Sequence, residues 1–431
     1  MINISKLYCG LAGQSDDLRY GQGDRPKAGL IRPASGGLDG IKPAFGRRGN
    51  SFGPVIAYNC TKRCNLKCLH CYSSSVAQRG SDELTTDEAK QLLTQLAEVN
   101  CPVVLFSGGE PLLRDDLFEL LAQAKRLKLR TVISSNGTLI DLQAAGKLAD
   151  VGVTYVGISI DGTEEFHDAF RQVKGSFKAA MAGIANCKKA GIRTGLRFTI
   201  TKANADQIPA VFDIAASKGI RRICFYHLIR TGRAKDLDEQ TLSPEQTRDV
   251  VDVIIETTNH FAKKKLVDEV LTVGNHADGP YLLVKMQKEK NENFHKAMKF
   301  LLTNGGNRIG EKIGCVGWDG SVYPDQFWRN YSLGNIKNKT FKQIWESSTE
   351  PVLNKLRNKS MFADKRCLKC RWFVLCKGNF RFLGGETNDK YWLNEPACYL
   401  TDEEITGDRE QFLPQRHANQ LTTNQLTNSE W

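Results

Sequence analysis

Three cysteines fall within eight residues, Cys64-Asn-Leu-Lys-Cys68-Leu-His-Cys71. Thiolates at C-x3-C-x2-C spacing can converge on one soft metal centre, and three protein ligands leave a coordination position open. An open position is what a reactive centre needs. The alternative from spacing alone is half of a zinc site, although zinc ribbons usually pair C-x2-C elements. A second group, Cys367, Cys370, Cys376 and Cys398, offers four thiolates. Four ligands close a cluster, which suits electron transfer or structure; a four-cysteine zinc site is the alternative. The remaining cysteines of the thirteen are Cys9, Cys60, Cys101, Cys187, Cys224 and Cys315. A third feature is Gly108-Gly109-Glu110. Two glycines let backbone approach a ligand closely, and a carboxylate beside them can receive an ammonium group.

These groups need elements to hold them. Short β-rich runs occur at 55–58, 102–107, 130–135, 155–160, 195–200 and 222–229, with amphipathic stretches between them. Thr85-x-x-Glu88 forms a capping box before a leucine-patterned helix. Aspartates open a helix over 115–127, Gly191 closes one over 177–191, and 247–265 reads as a long helix. Strands alternating with helices imply parallel β/α units with right-handed crossovers. Six units fit an α/β fold of partial TIM-like barrel type, (β/α)6, whose sites form at the C-terminal strand ends. The first cysteine group directly follows the first strand, and Gly108–Glu110 ends the second. The chain divides into an N-terminal segment with a flexible glycine-rich linker (1–53), a barrel (54–265), a connecting helical region (266–310), a loop-rich cysteine domain (311–404) and a polar tail (405–431). The linker proper covers 20–53, and the short ISKLYCG before it is placed to dock on the body.

The chain has 431 residues, 41% hydrophobic and 25% charged. That suits two or three domains with a sizeable core and excludes wholesale disorder. No window approaches 18 uninterrupted apolar residues, and the N-terminus lacks a basic start followed by an apolar run. A cytoplasmic location is expected, where clustered cysteines are metal ligands or catalytic groups more often than disulfides. The net charge of +12 suits an acidic partner. No Lys/Arg block interleaved with aromatics argues for nucleic acid.

The first cysteine group, with His70 in the variable apolar place, resembles the C-x3-C-x-Φ-C signature of the radical S-adenosylmethionine (SAM) superfamily. Cys60 makes a second x3 spacing with Cys64 but does not fit the whole pattern. The resemblance implies that Cys64, Cys68 and Cys71 hold a [4Fe–4S] cluster whose fourth iron is chelated by SAM. Reduction then cleaves SAM to methionine and a 5′-deoxyadenosyl radical, while the protein positions that species and excludes water. FSGGEPLL stands where the family has its GGEP motif, so Gly108, Gly109 and Glu110 are expected at the methionyl amine. By the same resemblance Asn136 faces the site, Ser159 or Asp161 meets the SAM ribose, and Arg197 pairs with the methionyl carboxylate; a satisfied loop polar group is the alternative for each.

The second group resembles the SPASM (twitch-like) extension of these enzymes, which houses auxiliary [4Fe–4S] clusters. Full SPASM domains bind two. Here Phe380 takes the place of the usual next cysteine, and Asp325 in DGSVYPD takes another. One auxiliary cluster is therefore expected on Cys367, Cys370, Cys376 and Cys398, with Cys315 left as a buried thiol or, if a site persists near Asp325, as an extra ligand. ISKLYCG, NCTKRCNLKCLHCYS, LFSGGEPLLR, RTVISSNGTLID, NHADGPYLL and VYPDQFW resemble the radical SAM enzymes of tetrapyrrole side-chain removal. That implies hydrogen abstraction from an acetate side chain of an iron tetrapyrrole. Such a substrate calls for cations and an axial ligand, for which His227 and His276 are the candidates; an ordinary structural histidine is the alternative for each. An acidic ferredoxin or flavodoxin is the expected electron donor.

Other readings share parts of this pattern. A related tetrapyrrole enzyme of heme d1 formation differs in product. A peptide-modifying SPASM maturase uses the same cofactors but often carries an N-terminal winged-helix element, and none is evident. A non-catalytic zinc or electron-transfer protein would be separated by an anaerobic iron count with an absorbance spectrum.

Overall fold

The structure, a computed structural model, describes residues 1–13, 16–20, 52–379 and 397–406. The expected linker lies outside them except at its edges, as do Phe380 and the tail beyond residue 406. Tyr20, the first residue of that expected linker, instead closes a helix, Asp16–Tyr20, with its ring buried.

Six parallel strands follow one another in sequence order: β2 (Val55–Thr61), β3 (Val104–Gly108), β4 (Thr131–Ser135), β5 (Tyr155–Ser159), β6 (Arg193–Ile200) and β7 (Arg222–His227). One face of these strands is buried, and the other is only half-buried at Leu105, Val132, Ser134 and Arg197. Tyr58, Phe106, Ile133, Val156, Phe198 and Phe225 are wholly buried. The sheet then extends beyond the six expected strands. β8 (Glu269–Val273) pairs parallel with β7, and β1 (Ile2–Asn3) pairs antiparallel with β8, Ile2 opposite Thr272. ISKLYCG thus docks on the body as expected, as a strand and a short helix, Ile4–Leu7. On the other side β9 (Ile313–Val316) joins β2 in parallel, and β10 (Ser321–Tyr323) and β11 (Gly334–Asn335) continue it as antiparallel neighbours. The barrel is therefore open, and the cysteine domain grows out of the sheet at its β2 side.

Some helices start where a side chain satisfies their first N–H groups. Thr85 and Glu88 form the expected capping box on Thr86–Glu98. The long helix is Pro244–Lys263, three residues earlier than its apolar pattern suggests. Ser243 caps it with Gln246, and proline occupies the first turn, where its missing N–H costs nothing. Gly191, at φ +72°, follows the helix Ser176–Lys189 as a C-terminal stop. Asp116, expected to serve the helix Leu117–Arg126, makes no capping bond. Its carboxylate accepts instead from Arg114 Nε at 2.6 Å and Thr86 Oγ1 at 2.7 Å.

Candidate active site at the open end of the barrel

The cysteine loop leaves the C-terminal end of β2 and is tied at its neck. The Cys64 N–H donates to the Val76 carbonyl at 2.7 Å, and the Val76 N–H to the Lys62 carbonyl at 3.2 Å. Each of the three sulfurs meets hydrogen-bonding groups. Cys64 Sγ accepts the Leu66 N–H at 3.5 Å, with Asn136 Nδ2 at 4.0 Å. Cys68 Sγ accepts from Arg171 Nη1 at 3.5 Å. Cys71 Sγ accepts the Ser75 N–H at 3.5 Å and lies 3.4 Å from Ser73 Oγ. Burial pushes the Cys64 thiol up to about 12 and that of Cys68 upward as well. At Cys71 burial is outweighed by the Ser73 and Ser75 hydrogen bonds, and the thiol lies below its ordinary value. Soft thiolates close together in sequence, with N–H groups and a guanidinium turned onto their sulfurs, are a donor set that fits an iron–sulfur cluster.

The glycines of the second motif serve the loop. A Cβ on Gly109 would lie 2.0 Å from the Arg63 carbonyl oxygen, and one on Gly108, at φ +121°, 2.4 Å from the Thr61 carbonyl oxygen. The N–H groups of Gly109 and Glu110 donate to the Thr61 and Arg63 carbonyls, each at 2.8 Å. The close approach expected toward a ligand is thus made toward the backbone that carries the cysteines. Glu110 is fully buried. Its carboxylate accepts from Ser135 Oγ at 2.8 Å, the Asn136 N–H at 2.8 Å and the Leu112 N–H at 3.3 Å. Burial raises it to about 7 despite these donors. Asn136 spans from β4 to the loop, giving Nδ2 to Asn65 Oδ1 at 2.8 Å.

Arg197 and Ser159 lie side by side in the β5–β6 register. The Arg197 side chain crosses Gly157, whose Cβ would fall 2.8 Å from its Cδ, and its guanidinium lies 4.8 Å from the Tyr226 ring centre. No carboxylate of the described residues forms an ion pair with it. Asp161 is placed otherwise. It is fully buried, and Oδ2 accepts from Arg171 Nε at 2.7 Å and Nη2 at 2.6 Å, while Oδ1 accepts the Thr199 N–H at 3.1 Å. Burial alone would raise it, but the Arg171 guanidinium beside it holds it below the usual carboxylate range. Of the two candidates at the end of the fourth unit, Ser159 is the one not already committed.

Two arginines at this site escaped sequence reasoning. Arg171 ends the helix Glu164–Arg171, and its carbonyl accepts the Lys67 N–H at 3.3 Å. Arg233 braces the loop through Nε to the Cys68 carbonyl at 2.9 Å and Nη1 to the Ser75 carbonyl at 2.8 Å. The signal for Arg233 is the adjacent Gly232 at φ +61°, where a Cβ would lie 2.4 Å from the Cys71 carbonyl oxygen. For Arg171 only the fold brings it to Cys68.

Of the later cysteines, Cys367 lies in the one-turn helix Lys365–Lys369, Cys370 caps its end, and Cys376 ends the one-turn helix Phe373–Cys376. Asp364 accepts the Cys367 N–H at 3.0 Å, and the Cys370 N–H donates to the Cys367 carbonyl at 3.1 Å. Cys398 Sγ accepts from Arg366 Nη1 at 3.3 Å. The NHADG stretch binds these turns to the barrel. The His276 N–H donates to Asn379 Oδ1 at 2.5 Å, Asn379 Nδ2 to Asn275 Oδ1 at 2.7 Å, and Asn275 Nδ2 to the Ala397 carbonyl at 2.8 Å. His227, at the end of β7, has Nε2 2.9 Å from Asp278 Oδ2, and Asp278 Oδ1 accepts from Tyr399 at 2.7 Å. Cys315 is a fully buried thiol, pushed up to about 12 by burial, and receives Asn59 Nδ2 at 3.5 Å. Asp325, at the place of a second-cluster cysteine, accepts the N–H groups of Phe327 and Trp328 at 2.9 and 2.8 Å.

Comparison with known proteins agrees with this layout. Residues 58–215 match the Radical SAM superfamily, and residues 309–371 match SPASM, an iron-sulfur cluster-binding domain. Fe-coproporphyrin III synthase of Methanosarcina barkeri is 45% identical over 409 residues, 94% of this chain and 99% of that protein. Pre-heme d1 synthase of Dinoroseobacter shibae is 36% identical over 81% of this chain and 87% of that one. Streptococcus suis SuiB bound to S-adenosylmethionine superposes with a TM-score of 0.62 at 19% identity, covering 81% of this chain and 78% of SuiB. AdoMet-bound anSMEcpe also gives 0.62, at 20% identity, over 82% and 95%. At those identities the likeness speaks to the fold. No helix among the described residues is long and apolar enough to cross a membrane.

Proposed function

The chain belongs to the radical SAM superfamily, with a SPASM extension, and from that membership we propose that it converts 12,18-didecarboxysiroheme to Fe-coproporphyrin III by removing two acetate side chains. The observation that carries this reading is the 45% identity to an Fe-coproporphyrin III synthase over nearly the whole of both chains. When bound, the cluster and SAM supply the hydrogen-abstracting 5′-deoxyadenosyl radical. The chain's own residues do the rest. Cys64, Cys68 and Cys71 hold the reactive cluster on a loop pinned by Gly108, Gly109 and Arg233. Glu110, buried and accepting from Ser135, Asn136 and Leu112, receives the methionyl ammonium. Arg197, with no ion pair of its own among the described residues, receives the methionyl carboxylate in a charge-assisted contact. Ser159 and Asn136 complete the rim around the cofactor.

Cys367, Cys370, Cys376 and Cys398 hold one auxiliary [4Fe–4S] cluster, bound to the barrel through the NHADG stretch. For the substrate iron, His276 is the better candidate of the two histidines. His276 sits in the loop-like NHADG stretch, and His227, whose Nε2 lies 2.9 Å from Asp278 Oδ2, is the second candidate. The excess of lysine and arginine suits a carboxylate-rich tetrapyrrole and an acidic flavodoxin or ferredoxin as donor.

Anaerobic incubation with 12,18-didecarboxysiroheme, SAM and a reductant tests the reading. Expected are 5′-deoxyadenosine and a tetrapyrrole of the mass of Fe-coproporphyrin III. A tetrapyrrole product of another mass would reject the deacetylation and favour the pre-heme d1 reaction of the second relative.

A further inference from the structure

Arg171 is the side chain whose placement the reaction as outlined does not use. Its exposure is 6%, and its guanidinium is shared between two partners. Nε and Nη2 grip the Asp161 carboxylate at 2.7 and 2.6 Å, and Nη1 points at the Cys68 sulfur at 3.5 Å. Both partners are themselves fixed. Asp161 is clamped by the Thr199 N–H of β6, and its own N–H donates to His167 Nδ1 at 3.2 Å. The loop beside Cys68 is stitched to the helix end by Lys67 and Leu69, whose N–H groups donate to the carbonyls of Arg171 and Phe170. His70 Nε2 stands 4.0 Å from Asp161, its ring stacked on Phe170. Arg233, by contrast, spends Nε and Nη1 on carbonyl oxygens of the loop.

We propose that the Arg171–Asp161 pair sets the reduction potential of the cluster held by the cysteine loop, acting through the Cys68 sulfur. This rests on the functional reading above and extends it to residues outside the ligand set. Reduction adds one electron to a cluster with thiolate ligands. A permanent positive charge and an N–H donor at one of those sulfurs favour the added electron. Arginine cannot lose its charge at a buried site as lysine can. The Asp161 carboxylate offsets part of that charge, and in a site closed to water neither field is strongly screened. The pair thus holds the potential between the values that either partner alone would give.

That account predicts opposite signs for the two partners, which a merely structural pair does not. The proteins are reconstituted anaerobically, and the reactive cluster is titrated potentiometrically by its EPR signal without substrate. Arg171→Gln should shift the midpoint to more negative potential, because the Asp161 charge remains without its counterion. Asp161→Asn should shift it to more positive potential. The auxiliary cluster serves as an internal reference and should not move in either variant. Shifts of the same sign, or no shift in Asp161→Asn, overturn the proposal. Should Arg171→Gln fail to retain iron, Asp161→Asn alone decides the matter, since it leaves the arginine in place. The triple change of Cys64, Cys68 and Cys71 to Ala separates the two readings. It should abolish SAM cleavage and remove about half of the iron, one of two four-iron clusters. If iron and 5′-deoxyadenosine formation survive it, the functional reading itself falls. If the reactive cluster is lost but potentials are flat across the Arg171 and Asp161 variants, only the role of the pair falls.

Discussion

A carboxylate closed off from water keeps its charge only as far as its neighbours support it, and Glu110 tests how far that is. Three donors reach it, yet burial outweighs them and raises it to about 7 from the ordinary 4.5. Below pH 4.5 the folded and unfolded chains both carry the proton. Between pH 4.5 and 7 the unfolded chain gives it up while the folded one keeps it, so stability falls as pH rises through that window and is level above it. The full difference is on the order of 3 kcal/mol. Measured by thermal unfolding of the cofactor-free protein, Glu110→Gln should therefore gain on wild type between pH 4.5 and 7. Bound SAM should flatten the slope, because an ammonium at the carboxylate favours the ionised form. A melting-temperature difference that is constant across the window would mean the three donors keep Glu110 ionised throughout. At this scale much of the site is legible in the sequence. Cysteines four and three residues apart must share a loop, and a Gly-Gly-Glu after a strand must sit at a rim. Asp161 and Arg171 were not legible as a pair, because a helix separates them and nothing local says which way either side chain turns.

Elements are held to one another here by backbone contact as much as by side-chain packing. The rim of β3 and the cysteine loop meet so closely that a methyl group at Gly109 has no room. Gly109→Ala should force the rim off the loop, destabilise the protein by about 1–3 kcal/mol, and lower iron bound at the first cysteine group more than at the second. Gly146, inside the helix Leu142–Asp150, is the control, since a Cβ there would meet nothing within 4 Å. There Ala should stabilise by roughly 0.5–1 kcal/mol. Equal iron loss in both variants would refute the packing argument. The auxiliary turns give a complementary case. Cys370→Ala should lower iron by about half while SAM cleavage survives, since the barrel loop does not depend on it. One zinc and four irons per wild-type chain would instead mean that the second group is a zinc site. The strands β2–β7 were readable as apolar runs between amphipathic stretches. β8, no shorter than β3, β4 or β5, was not, because the acidic pair Asp268 and Glu269 stands at its start, a few residues after a lysine-rich helix end. β1 was expected only to dock, since two residues carry no periodicity and their pairing is decided by the exposed edge of β8.

The whole molecule adds a property that no single element has, a net charge of +12. Some of this charge is tied up locally: Arg171 with Asp161, Arg222 with Glu269 at 3.1 Å, Arg248 with Glu404 at 2.8 Å. The surplus over all acidic groups remains and produces a field that reaches beyond the chain. Reduction of the cluster requires an encounter with an electron donor, and small flavodoxins and ferredoxins are acidic. A positive field steers such a donor and raises its encounter rate, most strongly at low salt. The Debye length shrinks from about 30 Å at 0.01 M ionic strength to about 8 Å at 0.15 M, so the steering is largely lost over that range. Stopped-flow reduction of the reconstituted protein by a reduced flavodoxin should therefore slow as salt is added. A small neutral reductant such as a deazaflavin radical should show little change over the same range. If the flavodoxin rate is equally flat, the surplus charge serves the carboxylate-rich substrate and not the donor. Salt should then weaken tetrapyrrole binding, followed through its Soret band, and leave the electron-transfer rate alone.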